Sequence, residues 1–264
     1  MPRETGLEHL TLLGVSPPDL VTVAAAAGFE AVGLRLSPAT DGERRWPVAP
    51  GSAMLAETAR RCADTGVTVL DAEAVRLGTG LTDFTAVLDA AAELGARYVN
   101  AICEDAELSL LSDEFAGLVA AARPYQIRPV IEFMAYRSIR TLTDASAVAA
   151  GSAGGGLLID ALHVQRCGIG LDAIRELDPG LVTYVQLCDA PLAAPADQVR
   201  EARSARLLPG HGELPLARLL AALPDGIPVA IEAPQAGATD DPAAFARRAM
   251  RALESVLPES KERP

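Results

Sequence analysis

Short apolar runs alternate with helix-like segments along the whole chain, and this alternation constrains the fold more than any other feature. Eight such pairs can be counted, and the run at 156–160 is a clear example of the apolar type. Regular alternation of strands and helices indicates a parallel sheet. Strands that are apolar throughout indicate that helices cover both faces of the sheet. Eight strand–helix pairs close a (β/α)₈ barrel, so the sequence predicts an α/β TIM barrel.

An open, doubly wound sheet is the alternative for the same alternation. Such sheets often carry a glycine-rich phosphate-binding turn after the first strand, and none follows the predicted first strand at 7–13. The length of 264 residues also matches the roughly 250 residues of a closed barrel. We predict a single domain over residues 1–258 and a loose tail at 259–264, with a long loop at 190–212.

Charge and hydropathy exclude several kinds of partner. The formal net charge is −12 and no basic run is present, so a phosphate backbone would be repelled. A membrane-spanning helix needs about 18 consecutive apolar residues, and no segment of the chain comes close to that length. The N-terminus has no signal-peptide pattern. The four cysteines are scattered without a CxxC pair, as in reduced proteins. We therefore expect a cytoplasmic protein that acts on a small molecule, with no nucleic-acid or membrane partner.

Each of the last four predicted strands carries an oxygen donor near its C-terminal end. The four donors are Glu132, Asp160, Gln186 and Glu232. In a parallel barrel these strand ends share one rim, and three carboxylates there would repel one another unless a cation lay between them. Oxygen donors without thiolate favour Mg²⁺ or Mn²⁺ over zinc, with Co²⁺ as a further option. The sequence predicts one divalent metal ion at this rim; the alternative is that each carboxylate pairs with an arginine.

Four sequence motifs resemble the sugar phosphate isomerase/epimerase group of the xylose-isomerase-like TIM barrels. They are IEFMAY at 131–136, LIDALHVQR at 158–166, VQLCDAP at 185–191 and LPGHGEL at 208–214. The superfamily includes ketose 3-epimerases, hydroxypyruvate isomerase, inosose dehydratase, 3-dehydroshikimate dehydratase and an apurinic endonuclease. The resemblance implies one metal ion held by the four strand-end donors. It also implies that Glu132 and Glu232 are catalytic and move the substrate proton from opposite faces, and that the protein forms a dimer or tetramer.

The donor of the seventh strand departs from the epimerase pattern. The epimerases usually have a histidine there, whereas this chain has Gln186. The 3-dehydroshikimate dehydratases resemble this chain at that position, because they also use glutamine. A glutamine amide can bind a metal ion through its oxygen but cannot carry a proton. This difference favours a lyase as the alternative function.

Four further residues are expected to bind substrate. His163 lies three residues after the aspartate of the sixth strand, the spacing at which related epimerases place a histidine on the substrate oxygens. Arg166 is expected to hold a carboxylate or a developing oxyanion, or else to pair with Asp189. Arg206 loosely resembles the substrate-binding arginine of the epimerases. His211, in a sharp glycine-rich turn, either touches substrate or is exposed.

Polar residues also lie near the ends of the second to fourth predicted strands. They could build a wall of the substrate site or form salt bridges at the rim. His9, in the first predicted strand, is expected to be a packed core histidine. The polar residues near the ends of the second to fourth predicted strands, which could form this wall, are Arg35, Glu73, Arg76, Asn100 and Glu104.

The predicted mechanism starts with a metal ion that acts as a Lewis acid on a carbonyl and a neighbouring hydroxyl group. A glutamate then removes the acidified C–H proton and leaves a metal-bound enediolate. Returning the proton gives epimerisation or isomerisation, and expelling a β-hydroxyl gives dehydration. We predict an isomerase or epimerase of a sugar-like compound, with a dehydratase of the 3-dehydroshikimate or inosose kind as the alternative.

Two functions of other classes are alternatives to such an enzyme. A metal-dependent nuclease would need a histidine-rich cluster and a basic groove, and the chain has three histidines and a net charge of −12. A barrel that binds its ligand without turnover is the remaining alternative. An unchanged turnover in a Glu132→Gln variant would favour it.

Overall fold

The chain forms a closed barrel of eight parallel strands. The computed structural model describes residues 3–257. Each strand pairs with its sequence neighbours, and the last strand pairs with the first, which closes the barrel. The predicted α/β TIM barrel is confirmed. The predicted tail at 259–264 lies outside the described residues.

The strands and helices follow one another in regular order. The strands are β1 (Thr5–Glu8), β2 (Ala31–Arg35), β3 (Thr68–Leu77), β4 (Tyr98–Cys103), β5 (Arg128–Glu132), β6 (Gly156–Asp160), β7 (Val182–Leu187) and β8 (Val229–Ile231). The α-helices are α1 (Pro17–Ala27), α2 (Ala53–Thr65), α3 (Thr85–Glu93), α4 (Leu108–Ala122), α5 (Leu142–Ala150), α6 (Ala161–Arg166), α7 (Leu171–Arg175), α8 (Gln198–Ser204), α9 (Leu216–Leu220) and α10 (Pro242–Val256). None of these helices is long and apolar enough to cross a membrane.

Local signals in the sequence set the helix ends. The Ser52 hydroxyl accepts a hydrogen bond from the Leu55 N–H and caps the start of α2. Gly66 ends the same helix with a φ of 78°, a left-handed conformation that favours glycine. Gly28 ends α1 in the same way. Both glycines are therefore local signals for the end of a helix.

Two predicted elements differ from the structure. The run at 7–13 was expected to be a strand, but β1 ends at Glu8 and His9–Leu12 form a 3₁₀ helix. Here the His9 Nε2–H donates to the Val15 carbonyl, and Nδ1 accepts the Arg35 N–H, so the buried imidazole fixes the turn. The predicted loop at 190–212 contains α8, a helix of seven residues that is too short for a periodic apolar pattern.

Within the described range, the buried apolar residues form three clusters, of which the two larger ones build the barrel and the smallest, with Ile102 and Met134, lies at the cavity. The largest lies between the strands and the surrounding helices. The second fills the lower interior of the barrel, where the rings of Tyr98 and Tyr184 stack at 5.2 Å. Since strand side chains alternate, the residue two positions after each inward apolar residue also points inward, nearer the C-terminal rim. On β5 to β8 the residue two positions later is polar: Val130 is followed in this way by Glu132, Leu158 by Asp160, Tyr184 by Gln186, and Ala230 by Glu232.

Candidate active site and metal centre

A cavity of about 210 Å³ opens at the C-terminal rim of the barrel. Four of the predicted site residues line it: Glu132, His163, Arg206 and Glu232. Asp160 and Gln186 are fully buried among the inward-facing residues of the same rim. The predicted strand-end donors are therefore at or directly beside one cavity, as the barrel topology requires.

Glu132, Asp160 and His163 form a group of potential metal ligands at this rim. One ligand atom from each lies within 4.8 Å of the others. The start of α6 explains the position of the imidazole. Asp160 Oδ1 accepts the His163 N–H at 3.0 Å, and this capped turn brings His163 Nε2 to 3.6 Å from Glu132 Oε1.

Arg206 connects two of the predicted metal ligands. Its Nη1 lies 2.5 Å from Asp160 Oδ2, and its Nη2 lies 2.9 Å from Glu232 Oε2. The Nε–H donates to the Ala202 carbonyl at 2.7 Å, which fixes the direction of the guanidinium. The alternative of carboxylate–arginine pairing thus holds for these two residues. Arg206 also lies in the cavity wall, where the predicted contact with substrate stays a prediction.

Two buried oxygen donors have unused capacity. Glu132 Oε2 accepts a hydrogen bond from Asn100 Nδ2 at 3.2 Å, but Glu132 Oε1 has no hydrogen-bond partner within the described part of the chain. Both amide atoms of Gln186 are buried and equally without a partner there. A buried polar group without a partner costs about 1–3 kcal/mol. A divalent cation that prefers oxygen ligands would satisfy both residues, so the donor set fits the predicted metal.

The electrostatics of the site point the same way. Burial raises the pKa of Glu232 to about 8 and, together with repulsion from Glu232 and Asp160, raises the pKa of Glu132 well above its usual range. Burial opposes ionisation of Asp160, but the Arg206 guanidinium and the interactions with His163 together outweigh it and keep that pKa below its ordinary value. Burial lowers the pKa of His163 to about 4, so its imidazole is neutral at neutral pH. A bound dication would restore the charged form of both glutamates.

Arg166 lies outside the cavity and acts on the neighbouring loop. Its Nε and Nη2 donate to the two carboxylate oxygens of Glu201 at 2.7 Å. Further hydrogen bonds run to the carbonyl oxygens of Pro191 and Leu192. The expected pairing with Asp189 is wrong. The guanidinium joins α6 to α8 and to the segment after β7, and the structure does not bring it to the predicted substrate site.

Asp189 and His211 both belong to the loop that follows β7. The Asp189 carboxylate accepts N–H groups of Ala190, Gly210 and Leu214, and so holds the glycine-rich turn in place. His211 is exposed and does not line the cavity. Of the two expectations for His211, the structure places it in the exposed position.

A second buried acidic group lies on the β1–β3 side, and the sequence interpretation missed most of it. Glu8, Asp71 and Glu73 have oxygens within 4.8 Å of one another. The Tyr184 hydroxyl reaches across the barrel and donates to Asp71 Oδ2 at 2.8 Å. Gly33 makes room for the group, because a Cβ there would lie 1.7 Å from Glu8 Oε2. The sequence did carry a signal for this group. Asp71 and Glu73 are two positions apart in a mostly apolar strand, so their side chains point to the same face.

The inner members of this acidic group resist ionisation. Burial, followed by repulsion from Asp71 and Glu73, raises the pKa of Glu8 well above its usual range. Burial and the charge of Glu73 raise the pKa of Asp71 to about 8. Glu73 lines the cavity, and its Oε2 lies 3.1 Å from Arg35 Nη2.

The remaining wall residues divide between the two expected roles. Arg76 and Glu104 form a rim salt bridge at 2.7 Å, and Glu104 also pairs with Arg137. Asn100 and Arg35 line the cavity instead. Asn100 and Arg35 therefore belong to the cavity wall, whereas Arg76 and Glu104 form a salt bridge at the rim.

The fold and the acidic rim define a TIM barrel with its functional site at the C-terminal ends of the strands. A model of the xylose isomerase-like TIM barrel family matches residues 21–256. The chain belongs to this family, as the sequence motifs predicted.

Several known proteins are similar to the chain. A 3-dehydroshikimate dehydratase of Pseudomonas aeruginosa is 29% identical over 237 residues, which are 83% of this chain and 35% of the relative. A solved fusion of a xylose isomerase-like TIM barrel with 4-hydroxyphenylpyruvate dioxygenase has a TM-score of 0.79 at 21% identity, over 97% of this chain and 43% of the fusion. The chain thus spans about a third of the curated relative and less than half of the fusion.

Two smaller solved proteins match over nearly their whole length. A D-allulose 3-epimerase from Methylomonas sp. in complex with D-allulose has a TM-score of 0.71 at 14% identity, covering 97% of each chain. IolI protein with a bound zinc atom has a TM-score of 0.74 at 14% identity, covering 96% of each chain. At these identities the structural matches establish the shared fold.

Proposed function

We propose that the chain is a divalent-metal-dependent isomerase or epimerase that acts on a small, sugar-like hydroxy-carbonyl compound. The observation that carries the proposal is that ligand oxygens of Glu132 and Asp160 lie within 4.8 Å of each other beside a cavity that Glu232 also lines. Enzymes of this family with epimerase and dehydratase activities support the reaction class.

Glu132, Asp160, Gln186 and Glu232 would hold the metal ion. The all-oxygen donor set favours Mn²⁺ or Mg²⁺, whereas the relative IolI carries zinc. When bound, the cation supplies Lewis acidity that lowers the pKa of a C–H group beside a carbonyl. His163 Nε2 is available as a donor or acceptor for a substrate oxygen, because it has no hydrogen-bond partner within the described chain.

The two glutamates supply the proton chemistry. Glu132 ends β5 and Glu232 directly follows β8, so their carboxylates enter the cavity from different sides of the rim. One carboxylate can remove a proton from one face of the substrate, and the other can return a proton to the opposite face. The Arg206 guanidinium lies beside Glu232 and would stabilise negative charge that develops on a substrate oxygen.

A dehydratase is the second candidate function. Gln186 favours it, since the sequence resembles the 3-dehydroshikimate dehydratases at that position, and the curated relative has that activity. The first step, proton removal beside a carbonyl, is common to both candidates. They differ in whether a β-hydroxyl group then leaves.

The proposal is tested by metal analysis and by proton exchange. The purified chain is loaded with Mn²⁺ and incubated in D₂O with D-allulose, D-tagatose or 3-dehydroshikimate. Retained metal and deuterium incorporated beside the carbonyl support the proposal. An isomer of the substrate as product then identifies an isomerase or epimerase, and a new ultraviolet-absorbing product identifies a dehydratase.

The matched variants are Glu132→Gln and Glu57→Gln. Glu57 lies on the surface of α2 and pairs with Arg60 and Arg61, so its replacement removes the same charge far from the cavity. Exchange should fall by about 10²–10⁴-fold in the first variant and stay unchanged in the second. A chain that retains no metal, or that exchanges protons equally in both variants, contradicts the proposal. From the family resemblance, we also propose that the protein forms a homodimer or homotetramer.

A further inference from the structure

The cavity wall formed by β2 and β3 faces the strand-end donors of β5–β8 and is itself acidic. Glu73 lines the cavity and is 1% exposed. Its Oε2 lies 3.1 Å from Arg35 Nη2. Within the described residues, neither carboxylate oxygen accepts a geometrically sound hydrogen bond. A buried carboxylate with this unused capacity can accept a hydrogen bond from a molecule in the cavity.

Every guanidinium that lines the cavity already faces a carboxylate. Arg35 lies between Glu43 and Glu73, Arg203 pairs with Glu43, Arg137 pairs with Glu104, and Arg206 lies between Asp160 and Glu232. An anionic group on a substrate would have to compete with these pairs, of which those of Arg35 and Arg206 are almost completely buried. Separating a buried ion pair leaves an uncompensated charge and is strongly unfavourable.

The charges around the cavity balance when one dication is present. With Arg76, which pairs with both Glu104 and Asp41, five guanidiniums face six carboxylates in these pairs, and Glu132 adds a seventh. A single divalent cation at the strand-end donors therefore neutralises the set. An uncharged substrate preserves this balance, whereas a substrate carboxylate adds a buried negative charge without a partner.

We infer that the cavity takes an uncharged, polyhydroxylated compound, and that Glu73 accepts a hydrogen bond from a hydroxyl group remote from the metal-binding donors. The inference rests on the proposed function and narrows its substrate class. A hydroxyl donor satisfies the free capacity of the Glu73 carboxylate through a charge-assisted hydrogen bond. Ile102 and Met134 line the same cavity and offer an apolar contact to the C–H face of such a molecule.

The test compares neutral and anionic ligands on the full, Mn²⁺-loaded chain by isothermal titration calorimetry. The neutral probes are D-allulose, D-tagatose and an inosose, and the anionic probe is 3-dehydroshikimate. We expect at least one neutral probe to bind about tenfold more tightly than 3-dehydroshikimate. This measurement needs no variant, so it does not depend on how a substitution affects folding.

Two variants at Glu73 then test the residue itself. Glu73→Gln removes the negative charge and frees Arg35, so the preference for the neutral probe should fall by about tenfold. Glu73→Asp keeps the charge but shortens the reach, so it should weaken neutral binding without strengthening binding of the acid. Glu57→Gln, the exposed control, should leave the preference unchanged. Circular dichroism establishes that each variant is folded.

Three results would overturn the inference. The first is binding of 3-dehydroshikimate at least as tight as that of every neutral probe. The second is a preference that Glu73→Gln leaves unchanged in a folded, metal-loaded protein. The third is a metal-loaded protein that binds none of the neutral probes, which rejects the substrate class while the metal centre stands. Loss of the metal centre itself shows separately, as absence of Mn²⁺ in the metal analysis.

Discussion

Arg206 Nη1 lies 2.5 Å from Asp160 Oδ2, and both side chains are almost completely buried. The same guanidinium reaches Glu232 Oε2 at 2.9 Å. One cation from the chain thus compensates carboxylates on two different strands of the rim. These are also two of the predicted ligands of the divalent ion, so a bound ion would act on the same pair of charges as the arginine.

Replacing Arg206 with methionine should destabilise the protein most strongly when no divalent ion is present. Removing one partner from a buried ion pair typically costs about 3–5 kcal/mol. Mn²⁺ should then raise the free energy of unfolding more in Arg206→Met than in the wild type, because the ion compensates both carboxylates. Urea denaturation with EDTA and with Mn²⁺ measures the difference.

Arg60→Met is the matched control for this experiment, because Arg60 forms only exposed pairs on α2. Its stability should change by less than about 1 kcal/mol with or without the ion. Equal stabilisation of the wild type and Arg206→Met by Mn²⁺ would show that the guanidinium and the ion do not share these carboxylates.

Replacing Gln186 with histidine should change the metal preference of the rim. The buried amide offers one oxygen donor, whereas imidazole nitrogen favours zinc over magnesium. We expect the ratio of Zn²⁺ to Mg²⁺ affinity to rise by about tenfold in Gln186→His. Gln186→Glu keeps an oxygen donor and should not raise that ratio. Titration calorimetry with each metal salt provides the measurement, and equal ratios in all three proteins would place Gln186 outside the coordination sphere.

The order of elements and the rim donors could be predicted because their signals are local and periodic. The run that ends at Asp160 is apolar up to that residue. Because side chains alternate along a strand, Leu158 and Asp160 point to the same side, which is the interior of the barrel. The 3₁₀ helix at His9–Leu12 could not be predicted in the same way, since its residues are as apolar as a strand. Its geometry depends on contacts of His9 with residues six and 26 positions away.

The partners of the arginines were the least predictable part of the site. Arg166 lies at a promising spacing after Asp160, but its direction is set by Glu201, which is 35 residues away. The missed helix α8 carries that glutamate. Arg206 reaches its position because the segment after α8 pairs with residues beyond β8, through Ala205 and Gln235. Long-range contacts of irregular segments leave no periodic trace in the sequence.

Arg166 and Glu201 should behave as a structural pair. Arg166→Met leaves a buried glutamate without its partner and should cost about 3–5 kcal/mol of unfolding free energy. The double variant Arg166→Met/Glu201→Gln should cost less than the sum of the two single variants, because neither unpaired charge remains. Denaturation of the four proteins measures the coupling. Mn²⁺ affinity should change by less than about twofold, and a selective loss of ligand binding would instead place Arg166 at the substrate.

The stability of the chain should also depend on pH through the acidic group of β1 and β3. Burial raises the pKa of Asp71 to about 8, above its ordinary value of 3.8. The folded protein therefore keeps this proton over a range in which the unfolded chain has released it. The contribution to stability is complete below the unfolded pKa and is lost as pH rises through the folded pKa.

Asp71→Asn should remove this loss, since an amide does not ionise and its oxygen can still accept the Tyr184 hydroxyl. Relative to the wild type, the variant should gain stability as pH rises from 5.5 to 9, reaching at least about 1 kcal/mol at pH 9. Urea denaturation in EDTA at several pH values measures the trend. Asp64→Asn, on the exposed surface of α2, serves as the control for removing a carboxylate. A difference between Asp71→Asn and the wild type that stays constant or shrinks with rising pH would show that Asp71 is already ionised in the folded protein.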